Sequence, residues 1–154
     1  MKLRAASASD VETLFEIRCS VGENHQSREE LATLGITVES VKAMIAGGGY
    51  ITTIAEVPTV GEDRPVGFTM AQISEAYIFA CFVRPGFEGL GIGRALMEAA
   101  EMGLRRAGVR QAWLSTGPEP GLRARGFYRH LGWLEDGHLE DGQIRFIKPL
   151  KNSS

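Results

Sequence analysis

The chain has 154 residues, enough for one domain with a hydrophobic core and short for two. Apolar residues make up 44% and charged residues 23%, which excludes wholesale disorder, and a formal net charge of −2 argues against a general nucleic-acid binder. The departure from ordinary usage is glycine, 19 residues with no Gly-X-Y period, so these glycines do local backbone work.

In chain order, Lys2–Ala6 reads as a short opening strand. Ser9 or Asp10 then caps a helix whose apolar face is Val11, Leu14, Phe15 and Ile17. Residues 20–36 are polar and carry no readable pattern. Thr37 caps a short helix with Val38, Val41, Met44 and Ile45, closed by Gly47, Gly48 and Gly49. Tyr50–Val57 and Val66–Ser74 form a hairpin across a polar turn containing Pro58, Gly61, Asp63 and Pro65. Tyr77–Val83 is almost wholly apolar, the pattern of a strand buried on both faces.

Residues 91–107 give the clearest helix, with Ile92, Leu96, Ala100, Gly103 and Leu104 at helical spacing and Gly108 beyond its end. Gln111–Ser115 is a strand, Leu122–Leu131 a short helix ended by Gly132, and Trp133–Leu139 with Gln143–Ile147 a hairpin turning at Asp141-Gly142. One strand–helix–strand unit thus lies among antiparallel hairpins. The expected fold is α+β: a central mixed, mostly antiparallel sheet of about six to seven strands with helices on both faces, formed by a single domain over residues 1–154 with a frayed tail.

Cys19 and Cys81 show neither metal spacing nor a disulfide framework, so no metal is expected. No run approaches about 18 apolar residues, so no membrane partner is expected and the assigned compartment is the cytoplasm. Charge is uneven: residues 1–83 hold 6 basic and 11 acidic residues, residues 84–154 hold 11 and 8. The basic half suits a small polyanion better than a nucleic acid.

The densest chemical signal is the run from Val83 to Leu96, where an apolar strand enters a loop with Gly86, Gly89, Gly91 and Gly93 and then a helix. Amides at a helix start lack intrahelical partners and face outward with the positive end of the dipole, which suits a phosphate. Arg94 adds a charged donor. The Walker pattern fails because no Lys-Ser or Lys-Thr follows. The dinucleotide pattern fails because Gly91-Ile-Gly93-Arg-Ala-Leu96 lacks its third glycine. A merely tight turn is the plain alternative, and four glycines within residues 86–93 argue against it.

Glu88-Gly-Leu-Gly91-Ile-Gly93 after Val83-Arg-Pro85, with Gly126-Phe-Tyr128-Arg-His-Leu-Gly132-Trp downstream, resembles the two signatures of the GNAT superfamily of N-acetyltransferases. The resemblance runs from Leu3 to about Ile147. It implies acetyl transfer from acetyl-CoA to a small-molecule or peptide amine by direct attack in a ternary complex. It also implies that Glu88, Gly89, Gly91, Ile92, Gly93 and Arg94 surround the pyrophosphate, and that the backbone of Phe82 and Val83 pairs with the pantetheine arm. Tyr128, at the family's Phe-Tyr position, is the implied acid for the leaving thiolate.

Glu88 departs from the family's usual Gln or Arg and sets a carboxylate near the phosphates; turning outward, or a neighbouring Arg84 or Arg94, would offset it. Glu75 and Glu56 are candidate bases, Asn24, His25 and Glu75 candidate acceptor contacts, and Arg123, Arg125 and Arg129 candidate contacts to the 3′-phosphate. Residues 20–36 and 57–66 are expected to shape the acceptor pocket. Cys81 is not expected to act as a nucleophile, and Trp113 and Trp133 are expected to pack. Glu88 and the lack of an obvious base keep a second reading open, a CoA-binding sensor or interaction module without turnover; a third is another kind of nucleotide-binding protein. The oligomeric state stays open, a homodimer among the options.

Overall fold

A computed structural model describes residues 1–22, 25–118 and 123–151. Seven strands form one sheet in the order β1-β2-β3-β4-β5-β7-β6. They are β1 (Lys2–Ala5), β2 (Tyr50–Thr59), β3 (Glu62–Gln72), β4 (Tyr77–Val83), β5 (Gln111–Thr116), β6 (Leu134–His138) and β7 (Ile144–Pro149). Only β4 and β5 run parallel.

Helices cover both faces. On one lie α1 (Val11–Ser20), α2 (Arg28–Thr33) and α3 (Val38–Ala46), where Val11, Leu14, Phe15, Ile17, Leu31 and Val41 pack on Ile54, Phe68 and Met70. On the other lie α4 (Ile92–Arg106) and α5 (Arg123–His130). There Leu96, Met97, Ala100 and Leu104 meet residues of β3, β4, β5 and β7, as their helical spacing requires. Gly103 lets α4 close on β2, since a Cβ there would stand 2.8 Å from the Ile51 side chain.

Several local expectations are corrected. Asp10 does not cap α1 with its side chain; its carboxylate is taken by Arg4 through two 2.8 Å bonds. Helix α2 was hidden in the segment that carries no apolar period. Its signal is the capping box, Ser27 Oγ accepting from the Glu30 N–H at 3.1 Å while Glu30 accepts from the Ser27 N–H. Strands β2 and β3 also run through the expected polar turn and reverse only at residues 60–61, where Gly61 has φ +90°. Pro65 is tolerated because a register shift at Ala55/Glu56 bulges the ladder there.

Strand β4 is the main departure. Among its residues only Ile78 is fully buried. The rest are partly open because the strand borders a cleft instead of being sandwiched on both sides.

Candidate active site

Strands β4 and β5 share one register pair, Tyr77 with Trp113. The Trp113 N–H donates to the Ala76 C=O at 2.9 Å. On its other edge β4 bulges: Met70 pairs with Ala80 and Ala71 with Ile78, leaving Phe79 extra. A bulge bends its strand, and beyond it a cleft of about 650 Å³ opens between the C-terminal halves of β4 and β5.

Register decides which peptide groups face this cleft. The Arg84 N–H donates to the Val66 C=O at 2.7 Å. Gly67 and Val83 are therefore a pair whose own peptide groups point away from each other. By alternation Val83 and Cys81 turn N–H and C=O toward the cleft. Phe82, paired with Phe68, spends its peptide groups on β3 and offers the cleft its side chain. Of the two backbone positions expected from sequence, the peptide groups of Val83 face the cleft and those of Phe82 face β3, while those of Cys81 face the cleft with Val83.

The glycine loop closes one end. Gly86, Gly89 and Gly91 have φ of +90°, +75° and +81°, conformations in which a Cβ is strained. Gly91 caps α4, and the first intrahelical bond runs from the Ala95 N–H to the Gly91 C=O. The amides of Ile92, Gly93 and Arg94 thus precede the ladder, with no acidic side chain in the first turn. The Ile92 side chain is core, so only its amide can serve a ligand. Gly93 has helical geometry and serves packing: a Cβ there would sit 3.2 Å from Phe127 of α5. Glu88 curls onto its own loop, where its Oε2 accepts from the Gly86 N–H at 3.0 Å. Neither arginine offsets it: Arg94 pairs with Glu98 at 3.2 Å, and Arg84 donates to the Pro65 C=O and pairs with Glu16.

Tyr128 lines the middle of the cleft, held by Phe127, Trp133 and Phe146. No described residue forms a hydrogen bond with its hydroxyl. Burial first, then the neighbouring Cys81, pushes the phenol well above its ordinary value. Burial pushes the Cys81 thiol up to about 12, so it stays protonated and is a poor nucleophile.

The other candidates are scattered. Glu75 is exposed on the β3–β4 turn, outside the cleft, and contributes its carbonyl to the Trp113 indole N–H at 3.0 Å. Glu56 is buried beside Arg4 at 3.1 Å. His25 bonds the Val21 carbonyl through Nδ1 at 3.0 Å, and Asn24 lies outside the described residues. Arg123 lines the cleft, whereas Arg125 and Arg129 both engage Glu135 at 2.6 Å. Trp133 is buried as expected, while Trp113 stacks on Tyr77 at 4.0 Å on the partly open sheet face. Among the described residues of 20–36, Val21 and Gly22 line the cleft, and none of 57–66 does, because that hairpin end projects elsewhere.

Sequence reading missed the mouth near α1. There Val21, Phe79 and Phe82 line the cleft, and the Arg18 guanidinium lies 4.3 Å from the Phe82 ring centre. No local pattern marks Arg18. It also missed the β5 wall, Ser115 to Gly117, although a strand–helix–strand unit already directs a ligand to the carboxyl ends of its strands.

Fold and cleft together define a class: a mixed-sheet protein whose ligand crevice lies where one parallel strand pair parts above a glycine-rich helix start. The sequence model of the acetyltransferase (GNAT) family matches residues 46–133, a stretch that holds β4, the loop and Tyr128. The chain belongs to that family. Serotonin N-acetyltransferase 2, chloroplastic, of Oryza sativa subsp. japonica is 29% identical over 98% of this chain and 70% of its own length. The chloroplastic GCN5-related N-acetyltransferase 1 of Arabidopsis thaliana is 34% identical over 58% of this chain and 44% of its own. Among solved structures, the PaiA N-acetyltransferase of Thermoplasma acidophilum in complex with coenzyme A superposes with a TM-score of 0.80 at 16% identity, covering 96% of this chain and 98% of that one. The ribosomal-protein-S18-alanine N-acetyltransferase of Escherichia coli gives 0.70 at 20% identity, with 99% and 96% covered. No helix among the described residues is long and apolar enough to cross a membrane.

Proposed function

We propose that the chain is an N-acetyltransferase domain that moves an acetyl group from acetyl-CoA to an amine by direct attack. One observation carries the reading: the freed edge of β4 leads from the outward amides of the α4 start to the Tyr128 hydroxyl inside a single cleft. Acetyl-CoA supplies the activated acyl group as a thioester. The amides of Gly91 to Arg94 hold its pyrophosphate. The peptide groups of Val83 and Cys81 align the pantetheine arm as an added strand would, and one of their N–H groups polarises the thioester carbonyl.

Tyr128 handles the sulfur. A thiol titrates near 8.5, below a phenol raised by burial, so complete early proton transfer from Tyr128 is uphill. Its hydroxyl therefore acts as a hydrogen-bond donor that strengthens as charge builds on sulfur, and the proton released by the amine, carried by water, neutralises the departing thiolate. At the acceptor mouth no described carboxylate or histidine lines the cleft. The amine loses its proton to water, and the nucleophile is drawn from its neutral fraction.

That same lack of a base favours the second reading, CoA binding without turnover. The discriminating experiment incubates the protein with acetyl-CoA and a broad amine panel and follows thiol release. Serotonin and an alanine-bearing peptide of ribosomal protein S18 belong in it, because two proteins similar to this chain are named for those acceptors. Acceptor-dependent release supports the enzyme; CoA binding with none supports the module. A melting temperature raised by ATP or NAD but not by CoA would contradict both.

A further inference from the structure

Glu88 is the only carboxylate of the loop between β4 and α4. Its position is odd for a site built from outward amides. It lines the same cleft as Gly91, Gly93 and Arg94, and one of its oxygens already accepts from a loop amide, Gly86 N–H at 3.0 Å. Among the described residues it makes no ion pair. The loop's own Arg84 is turned away to Pro65 and Glu16, and Arg94 is shared with Glu98. The side chain therefore does two opposed things. It braces the glycine loop at Gly86, next to the turn closed by the Phe87 N–H on the Arg84 C=O at 3.1 Å, and it places a carboxylate without an ion pair in the cleft that the Gly91 to Arg94 amides face.

We infer that Glu88 is an affinity-setting residue: its brace preforms the phosphate loop, while its charge keeps the coenzyme loosely held so that the spent product leaves quickly. The inference rests on the acetyl-CoA reading above. A glutamine at this position keeps an acceptor for the Gly86 N–H and removes the charge; an alanine removes both. Because Glu88 is exposed, neither change disturbs the core.

Calorimetric titration of the wild type, Glu88→Gln and Glu88→Ala with CoA and with dephospho-CoA, each at low and high NaCl, tests it. Glu88→Gln tightens both ligands about three- to tenfold at low salt, the scale of one nearby charge in partly screened surroundings. The gain shrinks at high salt as screening shortens the reach of the charge. Glu88→Ala gains less, having lost the brace, and product inhibition by CoA deepens in Glu88→Gln. Equal or weaker CoA binding by Glu88→Gln, a gain independent of salt, or a gain confined to CoA would overturn the inference. CoA binding by none of the three proteins would overturn the acetyltransferase reading itself, and this inference with it.

Discussion

Tyr128 joins sequence to chemistry at the smallest scale. Replacing it with phenylalanine leaves the aromatic contacts to Phe127, Trp133 and Phe146 in place and deletes one hydroxyl. The expected result is a fall in kcat of about 100-fold, the lower range for a positioned proton donor, with CoA affinity nearly unchanged. Steady-state kinetics beside calorimetry check it. The pH profile gives a second expectation. The phenol's pKa is raised, so Tyr128 stays protonated above the ordinary phenol range and contributes no alkaline decline below about pH 10. With water taking the amine proton, the acidic limb follows the acceptor. Two amines of different pKa shift that limb in step, whereas a limb fixed for both would reveal an enzyme base. At this scale the motif made Tyr128 and the loop glycines legible. Glu75 and Glu56 were not resolvable as bases, because a strand-end carboxylate looks the same in sequence whether it faces a cleft, a solvent turn or Arg4.

The strand–helix–strand unit makes the site at the next scale up. β4 reads in sequence as a fully buried strand because almost every residue is apolar, yet beyond the bulge at Phe79 it borders the cleft. Apolar composition cannot distinguish a strand buried by protein on both faces from one that walls a cleft. The capping-box helix α2 was overlooked for a related reason: at six residues it is too short to show a period, and its start signal was the only one available. Two glycines separate site from scaffold. Gly91→Ala forces a Cβ into φ +81° at the cap of α4 and costs about 1 kcal/mol of stability; CoA binding weakens more than stability does, because the anion-facing amides turn. Gly67→Ala drives a Cβ to 2.9 Å from the Phe82 carbonyl and 3.0 Å from Leu96. It is expected to destabilise by about 1–3 kcal/mol, read as a lowered Tm, since the Phe82 backbone cannot yield cheaply and the Leu96 side chain is fully buried.

Across the whole molecule, the sheet divides labour. Its α1–α3 face and its α4–α5 face carry separate apolar clusters, and the cleft passes between β4 and β5 where the sheet parts. The order of elements along the chain, α2 apart, and the apolar faces of the helices followed from periodicity and turn chemistry. The parting of the strands did not, since it depends on a register shift that no single strand encodes. The open end of the sheet is fastened by Arg4, whose bonds hold the Asp10 carboxyl at about 2, against an ordinary 3.8. Because the folded value is depressed, this stabilisation is complete above the unfolded carboxyl's range and is lost as pH falls from about 4 toward 2. Asp10→Asn therefore lowers stability at pH 7 and flattens the acid limb of the unfolding curve over that window. The most direct measurement compares acceptor-dependent thiol release from acetyl-CoA by the wild type and Tyr128→Phe, with CoA affinity measured on the same samples. Release by the wild type, a loss of about 100-fold in the variant and equal CoA binding are predicted. Equal release by the two proteins, or binding without release by the wild type, would contradict the assignment of this cleft to acetyl transfer.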